Sequence, residues 1–549
     1  MKKLIVKLLE KEVDLKKEEI DKLIEIPPSL EMGDYSFPCF ILARKLKKNP
    51  NQIAKDLKEK IKSKDFEKIE SSGPYINFFI NRIKLAENIV KEILDKKDNF
   101  GKVNIGKGKK ALIEHTSINP NASPHVGRAR NAIIGDSIVK ILKFMNFKTE
   151  VHYYVNDVSK QIAMLVLGNA EKLKFNKMLE KYISIAKKVK ESEKLEKKVF
   201  ELLYKFEKGD KNVTKKFKEI TKICVKGQEK ILLELGINYN FFDYESSYLK
   251  KSKEILSKLK KTKKLFKDEN SRFVLDQKGT SVENKMKSPV LVLTRNDGTG
   301  LYPLRDIAYT IEKIKKTEKN IIILGEDQKL YFQQIKEALK SLGFHAPEVI
   351  HYSFILLNEM GKSKKMSTRK GDVILLEDFL EKAIEKAKKG ISKRKTKGDP
   401  KKIGIGAVKY AILKNGNNKT IHFNLEDSLN FEGDTGPYIL YSYARASSIL
   451  RKVKDKNKLK ILKLEPKEIE LVKKLSEFKD IVLKSYKNLN PSLIANYSYQ
   501  LAQIFNEFYH SCPVINSSQE TFRIKLVKSF RLVLKNSLYL LGIETIDKM

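Results

Sequence analysis

Two segments far apart in the chain hold side chains whose types and spacing suit the binding and breaking of a triphosphate. The first runs from Glu114 to Arg128 and contains His115, Asn119, Pro120, Pro124, His125 and Gly127. It closes the apolar run Ala111-Leu112-Ile113, which reads as a strand. It then leads into a helical pattern with Val126, Ala129, Ile133, Ile134, Ile138, Ile141 and Leu142 on one face. A strand, a polar turn and a helix start can present backbone N–H groups, and here a histidine, to phosphate oxygens. The second segment, Lys365-Met366-Ser367-Thr368-Arg369-Lys370-Gly371, follows the apolar run Phe354-Ile355-Leu356-Leu357. Its cations can neutralise charge that develops on a departing pyrophosphate. His125 alone would read as a surface histidine capping a helix. Paired, the segments read as the two halves of one ATP site.

Those halves need a scaffold that brings them together. Apolar runs at 111–113, 151–155, 290–293, 321–324 and 348–357 alternate with helical periods, which predicts a parallel sheet with helices on both faces. From about 160 to 265 the pattern changes to long lysine-rich helices, expected as an insertion between the halves of that sheet. Gly101 to Lys110 reads as a linker. The residues before it mix helix and strand signals, with a break at Pro27-Pro28 and a strand-like run from Gly73 to Phe79. After 402 no strand alternation survives, and 3.6-residue periods at Tyr438 to Leu450, Ile469 to Ser485, Leu493 to Phe508 and Phe522 to Leu541 predict a helical bundle. Lys386 to Lys402 reads equally as a mobile basic connector or a solvated helix face. The expected fold class is α/β. A doubly wound parallel-sheet nucleotide-binding domain spans 101–401, with a helical insertion at about 160–265. An α+β N-terminal domain at 1–100 and an all-α C-terminal domain at 402–549 flank it.

Composition agrees. The 549 residues exceed one hydrophobic core, and 41% hydrophobic residues supply material for several. Lys+Arg 111 against Asp+Glu 69 leaves +42, a charge suited to counterion release from a polyphosphate partner. The lysines are spread along the chain, so this is support and not proof. Cys39, Cys224 and Cys512 are scattered, which argues against a disulfide framework or a zinc knuckle and for buried small hydrophobes in a reducing cytoplasm. Charge breaks the N-terminal apolar run at once, and no stretch approaches the ~18 apolar residues of a membrane span. No protein-bound metal is expected from the His, Cys and carboxylate spacing.

The two segments resemble the signature elements of the class I aminoacyl-tRNA synthetases, a His-x-Gly-His element early and a Lys-Met-Ser-Lys-Ser element late. Within that class the chain is similar to the arginyl-tRNA synthetases. The narrower likeness rests on Tyr302-Pro303-Leu304-Arg305-Asp306-Ile307-Ala308, on Phe431-Glu432-Gly433-Asp434-Thr435-Gly436-Pro437-Tyr438 with Tyr443-Ala444-Arg445, and on the ending Leu541-Gly542-Ile543-Glu544.

The resemblance implies ATP-dependent activation of L-arginine and transfer to the 2′-hydroxyl of the terminal adenosine of tRNA(Arg), with Mg²⁺ arriving with ATP and the chain acting as a monomer. It implies that bound tRNA completes the site. His125, Gly127, Lys365, Met366 and Ser367 would hold ATP, and Arg128, Arg369 and Lys370 would act with His125 and Lys365 on the reacting phosphates. Glu114, Asn119, Glu245, Tyr302, Asp306 and Gln328 would bind arginine, with Asp327 an alternative to Gln328. Two departures stand out: Arg128 replaces the second histidine, and Thr368 replaces the second lysine of the late element. They leave open a catalytically inactive tRNA-binding paralogue, and which of Lys365, Arg369 and Lys370 compensates for Thr368 also stays open.

Overall fold

The computed structural model describes residues 2–116, 118–359, 362–364, 374–453 and 461–549. Contacts divide the chain into two compact units. One comprises Met1–Lys97, Ile449–Glu477 and Gln503–Val533; the other comprises Asp98–Ser448, Phe478–Ala502 and Leu534–Met549.

The first unit has a three-stranded antiparallel sheet with Tyr75–Ile80 between Tyr35–Pro38 and Phe66–Ser72. Tyr75–Ile80 is buried over five successive residues, which is why it reads as a continuous apolar run and not as an alternation. Helices Lys2–Leu9, Lys17–Leu23 and Pro50–Lys60 supply Ile5, Leu9, Ile20, Ile53 and Leu57 to the core it shares with Phe37, Ile76 and Phe78. Asn49 starts the helix Pro50–Lys60 by accepting the Asn51 N–H at 2.9 Å, an ordinary asparagine cap.

The second unit is built on five parallel strands: β1 (Lys110–Glu114), β2 (Lys148–Val155), β3 (Phe241–Tyr244), β4 (Lys319–Gly325) and β5 (Glu348–Tyr352). Their order is β5-β4-β1-β2-β3, and every neighbouring pair is parallel. The order of strands reverses between β1 and β4. In doubly wound sheets the ligand crevice opens at such a point, outside the carboxyl ends of the strands. Glu114 ends β1 and Gly325 ends β4, so both lie at that crevice. Three helices matter to it: α1 (Val126–Phe144), α2 (Tyr302–Lys316) and α3 (Lys329–Ser341). Most of α1 is buried, so it lacks the polar face of a surface helix.

The sequence reading is corrected in four places. β3 lies within the stretch expected to be purely helical, so the helical part of the insertion ends with Lys211–Glu234. Val290–Val292 is a strand, but of a separate antiparallel sheet with Phe273–Asp276 and Leu265–Lys267. The run 348–357 breaks after Tyr352; its second half, Ile355–Glu359, pairs with Lys362–Lys364 and with Ile421–Phe423, a short strand inside the region expected to be all helix. Much of Lys386 to Lys402 is helix, since Leu376–Lys393 continues through it with Ala387 and Ile391 buried. Helices Gly436–Arg451, Pro466–Asn488, Ser492–Ser511 and Glu520–Leu540 lie close to the periods read from the sequence. Among the described residues no helix is long and apolar enough to cross a membrane.

Candidate active site

His125 is the residue before α1, in extended conformation, and its side chain makes no capping hydrogen bond. The imidazole is partly buried, its Nδ1 has no partner, and burial with help from Arg128 brings its pKa down to about 4. At neutral pH the ring is therefore uncharged at a helix start, where an anion would be favoured. This is not a surface capping histidine. Gly127 and Arg128 follow in the first turn, both half-buried.

The turn leading to His125 is held from three sides. Gln228, fully buried on the insertion helix Lys211–Glu234, donates to the Asn119 and Ala122 carbonyls at 2.9 and 2.8 Å and accepts from the Tyr153 hydroxyl at 2.7 Å. Asn131 of α1 accepts the Thr116 N–H at 2.9 Å and donates to the Ile323 carbonyl of β4 at 3.0 Å. Thr116 itself has φ +76°, a conformation that costs a β-branched residue roughly 1–2 kcal/mol. Its N–H bond and its contact with the Tyr239 hydroxyl at 2.6 Å offset that strain.

The late segment meets the same turn. The Val126 N–H donates to the Ile374 carbonyl at 3.1 Å, and the Leu376 N–H donates to the Pro124 carbonyl at 2.8 Å. Leu375 forms a bridge with His125. The residues just after the basic segment are thus stitched to the start of α1. Lys365, Met366, Ser367, Thr368, Arg369 and Lys370 lie outside the described residues.

Beside the turn is a cluster of carboxylates. Buried Glu114 pairs with Lys313 of α2, itself 1% exposed. That ammonium also lies 4.2 Å from the centre of the Tyr309 ring. Asp306, on the first turns of α2, accepts a hydrogen bond from the Tyr331 hydroxyl of α3. Burial raises its pKa to about 6, the Tyr331 bond opposes that rise, and nearby Glu114 adds to it. Tyr302 is 51% exposed, with its ring centre 5.1 Å from that of Tyr331. Glu245 is 1% exposed and is taken by the protein's own Arg305, Nε to Oε1 at 2.5 Å. Its other oxygen has no partner, and burial, only partly countered by Arg305, pushes its pKa up to about 8. Lys313 is thus taken by Glu114 and Arg305 by Glu245, while the partner of Asp306 is the hydroxyl of Tyr331. A third cation, planar and rich in donors, would suit the remaining acceptors.

Of the arginine ligands expected from the sequence, Tyr302 and Asp306 meet at Tyr331, Glu114 lies near Asp306 and pairs with Lys313, and Glu245 pairs with Arg305 through one oxygen. Asn119 is half-buried in the held turn. Gln328 is half-buried directly before α3, and Asp327 is exposed, its carboxylate lying where a Cβ on Gly325 would fall. Sequence reasoning missed Lys313, Tyr331, Gln228, Asn131 and Arg130. Arg130 is fully buried and donates to the carbonyls of Ser353, Phe354, Gly416, Asn417 and Lys419 at 2.7 to 3.3 Å. The available signal was a polar pair, Arg130-Asn131, interrupting the apolar pattern of α1.

Known proteins give the class and then the family. Residues 89–425 match the family described as tRNA synthetases class I (R), catalytic domain, 439–549 match the DALR anticodon binding domain, and 1–80 match the arginyl tRNA synthetase N terminal domain. The arginine–tRNA ligase of Methanocaldococcus jannaschii is 39% identical over 575 residues, covering 100% of this chain and 98% of that protein. The arginine–tRNA ligase of Clostridium perfringens is 34% identical over 571 residues, covering 100% of both. The arginyl-tRNA synthetase structure of Thermus thermophilus shares the fold with a TM-score of 0.81 at 24% identity, covering 96% of each chain. The chain belongs to the arginyl-tRNA synthetase family of class I aminoacyl-tRNA ligases.

Proposed function

We propose that the protein is an active arginine–tRNA ligase. In the first step an oxygen of the L-arginine carboxylate attacks the α-phosphorus of ATP and pyrophosphate leaves. In the second the 2′-hydroxyl of the terminal adenosine of tRNA(Arg) attacks the carbonyl carbon of the adenylate and AMP leaves. The observation that carries this reading is that Glu114, close to Asp306, ends β1 and leads directly into the His125 turn, which is tied to the residues that follow the basic segment.

Asp306 is anchored through one oxygen by Tyr331, which leaves the other for a guanidinium, with the exposed Tyr302 ring as a wall. Glu114 and Asn119 serve the head group of arginine, and Gln328 lies within reach of the same task. Glu245 supports the pocket through Arg305. Neutral His125 has one ring N–H to donate to a phosphate oxygen, and Gly127 and the helix start add backbone donors. Arg128, Lys365, Arg369 and Lys370 supply the cations for the leaving pyrophosphate, with Met366 and Ser367 against the nucleotide. Mg²⁺ comes with ATP as part of that substrate. Positioning and charge stabilisation are the protein's main work in such transfers.

The domain division adopted is 1–100 for contact with the body of the tRNA, 101–401 for catalysis and 402–549 for the anticodon; the three matched ranges support the number and order of the domains, with the catalytic match running from 89 to 425. The working form is a monomer in the cytoplasm, where the buried free thiols of Cys39, Cys224 and Cys512 would stay reduced. Pyrophosphate exchange measured with each standard amino acid, with and without tRNA, tests the proposal. Exchange with arginine alone among them supports it. Exchange with none, in the presence of tRNA, would mark an inactive tRNA-binding paralogue.

A further inference from the structure

Lys409 sits in the helix Pro400–Leu413, inside the apolar run Ala407, Val408, Tyr410 and Ala411, and is 1% exposed. Its ammonium donates to the Gly542 carbonyl at 2.5 Å and lies 3.8 Å from Asp136 Oδ2 on α1. The charged groups facing it are Asp136 and Lys140 from α1 and Glu544 from the C-terminal turn. Asp136 pairs with Lys140 through Oδ1, and its Oδ2 has no hydrogen-bond partner. Gly542 has φ +66°, and a Cβ there would come within 2.4 Å of Asp136 Oδ2 and 3.0 Å of Lys409 Nζ. One residue further along α1, the Ser137 hydroxyl donates to the Leu540 carbonyl at 2.7 Å.

Burying an ammonium costs several kcal/mol, which one hydrogen bond and a carboxylate at this distance offset only in part. An apolar side chain of the same length would fill the space more cheaply, and no step of the chemistry above uses Lys409. What it joins gives it a role. Asp136 follows Gly135, and Gly135 is the surface on which His115 rests: a Cβ there would lie 2.3 Å from the imidazole Cγ. His115 in turn directly follows Glu114. The C-terminal turn and the head of the arginine pocket therefore lie on two sides of one short stretch of α1.

We propose that Lys409 is a positioning residue for adenylate formation: through Gly542 and Asp136 it fixes the seating of α1 against His115, and with it Glu114 and the helix start at His125. The inference rests on the ligase reading. It adds a link between the site and a turn inside the range matched by the anticodon-binding domain.

The test uses the full chain with saturating tRNA. Arginine-dependent exchange by the unmodified protein is measured first, because its absence refutes the ligase reading and not the role of Lys409. Lys409→Met, Asp136→Asn and the double variant are then compared for kcat, KM for ATP, tRNA affinity and thermal melting. A positioning role predicts kcat lower by about ten-fold in Lys409→Met, with KM for ATP and tRNA affinity within about two-fold. It also predicts that the double variant is no worse than the worse single, because the two residues act as one unit. Wild-type kcat in folded Lys409→Met, or losses that multiply in the double variant, overturns the proposal. If Lys409→Met does not fold, the shape-conserving Asp136→Asn decides: a lower kcat at unchanged KM for ATP supports the role, and a wild-type kcat overturns it.

Discussion

Asp306→Asn separates the charge of the pocket from its shape. The asparagine carbonyl can still accept the Tyr331 hydroxyl, but the amide NH₂ then faces the substrate guanidinium, donor against donor. The lost interaction is a hydrogen bond between ionised partners, about 1.5–3 kcal/mol. That corresponds to a rise of roughly 10- to 150-fold in KM for arginine. pH adds a second signature. Burial raises the Asp306 carboxyl to about 6, so in the unmodified protein arginine affinity falls as pH drops through that value and the carboxylate is protonated. The variant lacks that titration, so the change centred near 6 disappears from its profile. Stability runs the other way: a carboxyl raised in the folded state binds its proton more tightly than in the unfolded chain. The stability it contributes is present below the unfolded pKa and is lost as pH rises through about 6. The assay is pyrophosphate exchange at saturating ATP and tRNA, with arginine varied from about pH 5.5 to 8. An unchanged KM, or the same pH profile in both proteins, would remove Asp306 from the site.

Lys313→Met leaves Glu114 buried without its cation and should cost about 3–5 kcal/mol in urea unfolding; a loss near zero would mean that the pair does not hold Glu114 in place. tRNA affinity should fall steeply with salt, as expected for a chain of net charge +42, while arginine affinity at saturating tRNA hardly moves. A flat response would return the lysines to mere composition. Lys365→Ala and Lys370→Ala should each slow single-turnover adenylate formation at nearly unchanged ATP binding, and together far more; if neither does, the charge opposite pyrophosphate comes from elsewhere, Arg128 first.

The parallel sheet was legible because β1, β4 and β5, the first half of the run 348–357, are compact runs rich in apolar residues and bounded by turn residues. β3 was not, because Phe241–Tyr244 is four residues long, only partly covered, and follows a long lysine-rich helical pattern. Val290–Val292 carries the same local signal as a buried parallel strand, and only its tertiary partners place it in another sheet. In the proposed site, residues within recognisable motifs, such as His125, Asp306 and Tyr302, could be put forward as candidates from the sequence. Lys313, Gln228 and Lys409 could not. Each is a polar residue on a helix in a lysine-rich chain, where one more lysine or glutamine draws no notice until its burial is known. Glu245 shows the converse. Its residue type marked it as a candidate ligand, but its pairing with Arg305 through one oxygen is visible only in three dimensions.

Arg130 raises a question of inheritance. All five of its acceptors are main-chain oxygens, so exchanging the side chains of the residues that carry them would leave the bonds it makes unaltered. A salt bridge can be reversed by exchanging both partners, but an arginine bound to peptide carbonyls has no partner to exchange. The position can therefore change only with the path of two loops, and comparison of relatives should find it constant beside neighbours that drift, with no correlated substitution to betray the contact.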